Sequence, residues 1–317
     1  MNLSGRRESN NVDDRRGQRN VGGMSGGSGG GLNLLSVLFQ LFMSSKGSGS
    51  GGGKKGSGCL ILLVVVGVLA FSYCGGGSLI PSAGLSDESG YQQEQYQGSD
   101  QEEELAKFSK QILAGTEDVW TKLFAQMGRT YEPPRLVLFT DMVQSGCGGA
   151  TSSSGPFYCS ADQTVYIDLS FFINMKRQIG ADGDFAYAYV IAHEVGHHVQ
   201  YLLGDLNKVH SQMSRVSKTE SNQLSVRLEL QADFYAGIWA YYDNKMFRSL
   251  EDGDIDEGLD AARKIGDDYL QRQAQGYTVP ESFNHGTSAQ RSKWLKLGAT
   301  TGNIRLGDTF SPSYNEL

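Results

Sequence analysis

Downstream of residue 99 the apolar positions fall into periods that read as elements. Ser99-Asp-Gln-Glu102 has the spacing of a capping box and opens a helix running roughly to Met127. Glu132-Pro133-Pro134 breaks the chain, and Arg135–Thr140 (RLVLFT) then reads as a strand. Thr164–Leu169 (TVYIDL) alternates as a second strand, and a short helix around Phe171–Ile179 ends at Gly180. Asp182-Gly-Asp184 offers caps to an apolar helix that Gly204 is placed to stop. Thr219 to about Tyr242 is long and amphipathic, a further helix starts near Asp254 with Glu257 completing a capping box, and Thr287-Ser-Ala-Gln290 caps a last helix ending at Gly298. Residues 299–317 read as an irregular tail. Strands followed by helices make residues 100–298 an α+β, helix-dominated domain.

The first hundred residues have another character. The chain has 42 glycines in 317 residues, far above ordinary usage, and they crowd into Gly22–Gly31, Gly47–Gly58 and Gly75–Gly77. Residues 1–58 therefore read as a flexible Gly/Arg-rich region and 75–99 as a linker. Between them Cys59–Cys74 (CLILLVVVGVLAFSYC) is apolar and uncharged, at the short edge of a spanning helix and extendable to Ile80. Lys54, Lys55 and the arginines upstream predict a cytoplasmic N-terminus and a domain across the membrane, periplasmic or extracellular. An apolar run that begins so deep is not a cleaved signal peptide. Leu32–Met43 is a shorter apolar stretch, either an interfacial helix or a patch in a flexible arm. Of 28 Lys+Arg and 35 Asp+Glu, residues 1–74 hold 8 and 3, leaving 20 and 32 for the rest. An acidic globular part excludes nucleic acid as the main partner.

The chemistry concentrates in His193-Glu194-Val195-Gly196-His197, set between AYAYVIA and HVQYLL. Two histidines four residues apart project from one helix face and can reach one Zn²⁺, with Glu194 beside the open coordination position as general base. A catalytic zinc needs a third protein ligand. Glu229, on the long helix downstream, is the candidate, and Asp233 one turn on can accept a hydrogen bond from the ring of a ligating histidine. His198 and His210 read as structural. Asp252-Gly-Asp-Ile-Asp256 is no calcium loop, because Glu257 and Arg263 occupy the sixth and twelfth positions. Cys147 and Cys159 lie in a Gly/Ser-rich stretch on the far side of the membrane and are the disulfide candidates, worth about 3 kcal/mol in the chain-entropy model.

HEVGHH followed by ELQAD resembles a gluzincin metallopeptidase. With GRRESNNVDDRRG, the apolar run and the late NHGTSAQR, the chain is similar over nearly its whole length to the bacterial neutral zinc metallopeptidase family, also called the YpfJ family. The resemblance implies a zincin-like fold, one Zn²⁺ per chain held by His193, His197 and Glu229, and Glu194 as base. It also implies a donor to the developing oxyanion, for which His285 is the candidate, and a cleft-lining strand that pairs with peptide, here Thr164–Asp168. One departure is Gly307, where family members often carry a cysteine before an Asp-Thr-Phe-like ending. The expectation is a membrane-anchored, zinc-dependent metallopeptidase acting on peptides or proteins, with lipid met through one transmembrane helix. Alternatives are a zinc-binding adaptor without proteolysis and a zinc amidase acting on cell-wall peptides.

Overall fold

The computed structural model describes residues 1–18 and 98–317. The elements are β1 (Val12–Asp14), α1 (Asp100–Gln126), β2 (Arg135–Phe139), β3 (Met142–Ser145), β4 (Gly148–Thr151), β5 (Phe157–Cys159), β6 (Thr164–Asp168), α2 (Ser170–Ile179), α3 (Asp184–Leu203), α4 (Asp205–Met213), α5 (Lys218–Phe247), α6 (Asp254–Lys264), α7 (Asp267–Gln275) and α8 (Ser288–Thr301). Helices dominate, so the α+β expectation holds at that level. The four-stranded sheet has the order β1-β2-β6-β5. β1, β2 and β6 run parallel, and β5 closes the edge antiparallel to β6, with Tyr158 opposite Val165. β3 and β4 form a separate hairpin, tied to β5 by the Cys147–Cys159 disulfide.

The main core lies between sheet and helices. Leu136, Leu138, Val165 and Ile167 meet α1 (Ile112, Trp120), α3 (Phe185, Ile191, Val195) and α5 (Phe234, Trp239), all buried. Two close helix approaches depend on glycine. A Cβ at Gly196 would lie 2.9 Å from the Ala232 carbonyl oxygen, so its absence lets α3 settle directly against α5. A Cβ at Gly298 would lie 2.2 Å from the Phe234 carbonyl oxygen, and this brings α8 down on α5. Gly298 was expected to end the last helix. It is instead a packing position inside it, and the helix stops at Gly302, whose φ of 58° is the left-handed conformation glycine tolerates.

Helix starts divide in the same way. The boxes at Ser99/Glu102 and Thr287/Gln290 form as expected. The Asp254/Glu257 box does not: Gly253 caps α6, and the Glu257 carboxylate accepts from the Phe185 backbone N–H at 3.3 Å. Asp182 and Asp184 likewise do not cap α3, whose N-cap is Gly183 without a side-chain bond. A neighbouring helix serves that end.

Residues 1–18 overturn the reading of 1–58 as one flexible region. β1 pairs with β2 through Val12, Asp13 and Asp14. Arg6 forms a nearly buried ion pair with Asp243 at 2.7 Å, Ser9 donates to Glu117, and Arg16 reaches Asp14 and Glu103. The Met1 amine meets Asp184 at 2.6 Å. A strand cannot share a sheet across a bilayer, so residues 1–18 lie on the same side of any membrane as 98–317. The expected cytoplasmic N-terminus with the domain across the membrane needs a crossing by Cys59–Cys74, and that expectation lies outside the described residues. Leu32–Met43 and Cys59–Cys74 fall outside the described residues, among which no helix is long and apolar enough to cross a membrane. At the other end the tail is packed: Thr309 and Leu317 are buried, and Arg227 donates to the Thr309 and Pro312 carbonyls.

Candidate metal centre

α3 is apolar and buried along most of its length, His193 and Glu194 included. One turn separates His193 from His197, and their rings stand 4.8 Å apart. Because Gly196 lets α5 approach, Glu229 reaches both. Its Oε2 is 3.2 Å from His193 Nε2 and its Oε1 is 3.5 Å from His197 Nε2. One donor atom from each of the three residues lies within 4.8 Å of the others. A tetrahedral Zn²⁺ sets neighbouring donor atoms about 3.4 Å apart, so the carboxylate-to-ring separations fit without rearrangement. Two imidazoles and one carboxylate are also the donor types this ion takes.

Both histidines are oriented from behind. His193 donates Nδ1–H to Asp233 at 2.8 Å, which turns Nε2 towards Glu229. Asp233 has no exposed surface, and Tyr189 and Arg291 also bond to it. Burial would raise its carboxyl, but Arg291 and His193 hold it below the usual carboxylate range. His197 Nδ1 meets the Gln200 side-chain oxygen at 2.9 Å, and the Gln200 amide donates in turn to the Leu228 carbonyl and to Gln231. Gln231 donates to the Gly307 carbonyl at 3.0 Å. The position that departs from the expected cysteine therefore supports the site through its backbone. It also has no room for a side chain, since a Cβ there would lie 2.5 Å from the Phe234 ring.

Charge completes the picture. Burial would raise the Glu229 carboxyl, but His197 and His193 hold it well below the usual range. Burial would lower the His193 imidazole, yet Asp233 and Glu229 outweigh it and hold it up at about 10 among protein groups alone. A metal cation must displace that proton. Glu194 is outside the ligand group, and burial pushes its carboxyl up.

The three residues open on a cavity of about 550 Å³, which Glu194, His285 and Arg291 also line. His285 comes from the α7–α8 connection and is buried, with Nδ1 at 3.1 Å from Asp267 Oδ1. Asp267 accepts in addition from the backbone N–H groups of Asn284, His285 and Gly286. The strands at the cleft are β4, through Gly148, Gly149 and Ala150, and β5, not Thr164–Asp168. That segment is β6, buried between β2 and β5, whereas Phe157 and Tyr158 of β5 line the cavity. His198 sits behind the site between Tyr158 and the Glu132 carbonyl, and His210 is exposed at the cavity rim.

Four residues of this arrangement escaped the sequence: Tyr189, Gln200, Asp267 and Arg291. Tyr189 and Gln200 flank the histidines on α3 at helical spacing, an apolar-face and a generic polar position respectively. Asp267 looks like any acidic residue in a first helical turn. Arg291 alone carried a signal, because it ends the NHGTSAQR stretch.

The family described as "Putative neutral zinc metallopeptidase" matches residues 1–310. The chain belongs to that family. It is 47% identical over 315 residues, 99% of its length, to the full length of the uncharacterized protein YpfJ of Escherichia coli K12. An uncharacterized protein of Mycobacterium tuberculosis H37Rv is 44% identical over 191 residues, 57% of this chain and 64% of that protein. No solved structure matches the chain.

Proposed function

We propose that this protein is a zinc-dependent peptidase in which His193, His197 and Glu229 hold the metal and Glu194 is the general base. The position of Glu194 carries the reading. It is buried in the wall of the cleft, on the helix that bears both histidines, yet outside the ligand group. A metal held for structure alone takes four protein ligands and has no use for such a carboxylate. Bound here, Zn²⁺ supplies Lewis acidity towards a water and a carbonyl oxygen.

The remaining steps belong to side chains. Glu194 takes the proton of the attacking water and later returns it to the leaving amine; burial pushes its carboxyl up, which makes it a stronger base. Burial would lower the His285 imidazole, but Asp267 at Nδ1 raises it and favours the doubly protonated ring, whose Nε2–H donates to the developing oxyanion. An extended peptide adds to β5, which among the described residues pairs only with β6. The Cys147–Cys159 disulfide supports a place outside the reducing cytoplasm for the domain, and residues 1–18 go with it.

The test is hydrolysis of a peptide library by the zinc-loaded full chain, with and without chelator. Glu194→Gln is expected to bind zinc as the unaltered chain does and to lose hydrolysis by about 10²–10⁴-fold. Full activity in that variant overturns the assignment.

A further inference from the structure

Arg291 is among the largest fully buried side chains, 1% exposed, and a guanidinium is not carried into an interior without a carboxylate to meet it. Its partner is Asp233. Nε donates to Oδ2 at 2.9 Å and Nη2 to Oδ1 at 3.0 Å, a two-pronged contact that fixes the carboxylate in one plane. Nη2 also lies 3.2 Å from the Tyr189 hydroxyl and 3.9 Å from Glu229 Oε2. Tyr189 in turn donates to Asp233 Oδ1 at 2.6 Å. The same Oδ1 receives His193 Nδ1 at 2.8 Å.

We infer that Arg291 is a positioning residue for the metal centre, acting through Asp233 to set the tautomer and direction of His193. Two observations carry this. The first is contact geometry. Arg291 Nη2 stands 3.5 Å from His193 Nδ1, too far to compete with the carboxylate at 2.8 Å, so Asp233 holds the proton at Nδ1 and Nε2, which faces Glu229, is the nitrogen left for a metal. Without the guanidinium, the hydrogen bonds left to Asp233 among the described residues come from Tyr189 and from His193 itself. The second is charge. Glu194, Glu229 and Asp233 put three carboxylates within one buried site; Arg291 and a divalent cation together balance them. Remove the arginine, and the site carries an uncompensated negative charge in a medium that tolerates it badly. The arginine is supplied by α8, the last long helix, so the centre is complete only when that helix has docked on α5 at Gly298.

The inference rests on the zinc reading above, and the experiment separates the two. Zinc dissociation constants are measured on the full chain by competition with a chromophoric chelator, for the unaltered chain, Arg291→Met, Arg291→Lys, Asp233→Asn and the Arg291→Met/Asp233→Asn double variant. Near-ultraviolet circular dichroism reports the fold of each. Arg291→Met is expected to weaken zinc about 10–100-fold, Asp233→Asn by a similar factor, and the double variant no more than the worse single one. Arg291→Lys, which keeps the charge but not the fork, should recover part of the loss. Affinity unchanged in Arg291→Met, or losses that multiply in the double variant, overturn the role while leaving the zinc site intact. Failure of the unaltered chain to bind zinc overturns both. If Arg291→Met does not fold, the cycle is run with Arg291→Lys; a loss of the same size in the Asp233→Asn background then counts against the proposal.

Discussion

Two adjacent histidines on α3, His197 and His198, face opposite fates. His197 turns Nε2 towards Glu229 at 3.5 Å. His198 has no exposed surface; it accepts from the Tyr158 hydroxyl at Nδ1 and donates Nε2–H to the Glu132 carbonyl at 2.7 Å, the bonding of a neutral imidazole. Burial pushes its pKa down to about 4, with the Glu132 carbonyl only partly opposing. Unfolded, the ring takes its proton near 6.5; folded, near 4. Between these values the unfolded chain binds more protons, so stability falls as the pH drops, complete above the upper value and lost by the lower. The loss is on the order of 3 kcal/mol. His198→Gln should flatten the dependence of the urea midpoint on pH across that window; an unchanged slope means His198 does not titrate as argued. The alternation of roles along one helix was legible only in part. HExxH spacing marks the candidate ligand pair, and the contacts that hold His198 come from Tyr158 and Glu132, which lie far away in sequence.

At the scale of elements, the site is a contact between helices. α3 carries the histidines and Glu194, α5 carries Glu229 and Asp233, and α8 carries Arg291; small residues at the crossings decide how near they come. Gly196 lies between the two histidines and is the point where the Ala232 backbone touches α3. Gly196→Ala should cost about 1–3 kcal/mol by overpacking and, by pushing α5 back, move Glu229 away from both rings. Thermal denaturation and zinc competition check the two parts. A variant of normal stability and zinc affinity would show that α5 does not limit the triad's geometry. The helices themselves were readable, because a 3.6-residue period survives in any context. Their ends were less so. Gly298 signals a stop when read locally, and only the face of α5 shows that it is an interhelical contact. α4 and α7 went unread, being short and mostly polar, and β1 was hidden in a charged stretch whose partners lie more than a hundred residues on.

At the scale of the molecule, the first eighteen residues tie together the sheet and helices of residues 98–317. Arg6 neutralises the buried Asp243 of α5, β1 covers the edge of β2, and Asn11 and Ser9 bond the Glu117 carboxylate of α1. Deleting residues 1–18 leaves Asp243 buried without its guanidinium, a cost of about 3–5 kcal/mol alone, and bares a sheet edge. The expected result is a melting temperature lower by roughly 10 °C and a tendency to aggregate. A deletion variant that melts with the full chain would place this segment outside the cooperative unit. What the sequence by itself determined is local and periodic: the long helices, two central strands, and the identity and spacing of the metal-binding candidates, since a helix brings positions four apart to one face wherever it lies. Only the tertiary structure decided which strands border the cleft, which guanidinium stands behind Asp233, and that the N-terminal segment shares a sheet with the domain. Those depend on which faces pack together, and packing joins residues through space in ways no local period encodes.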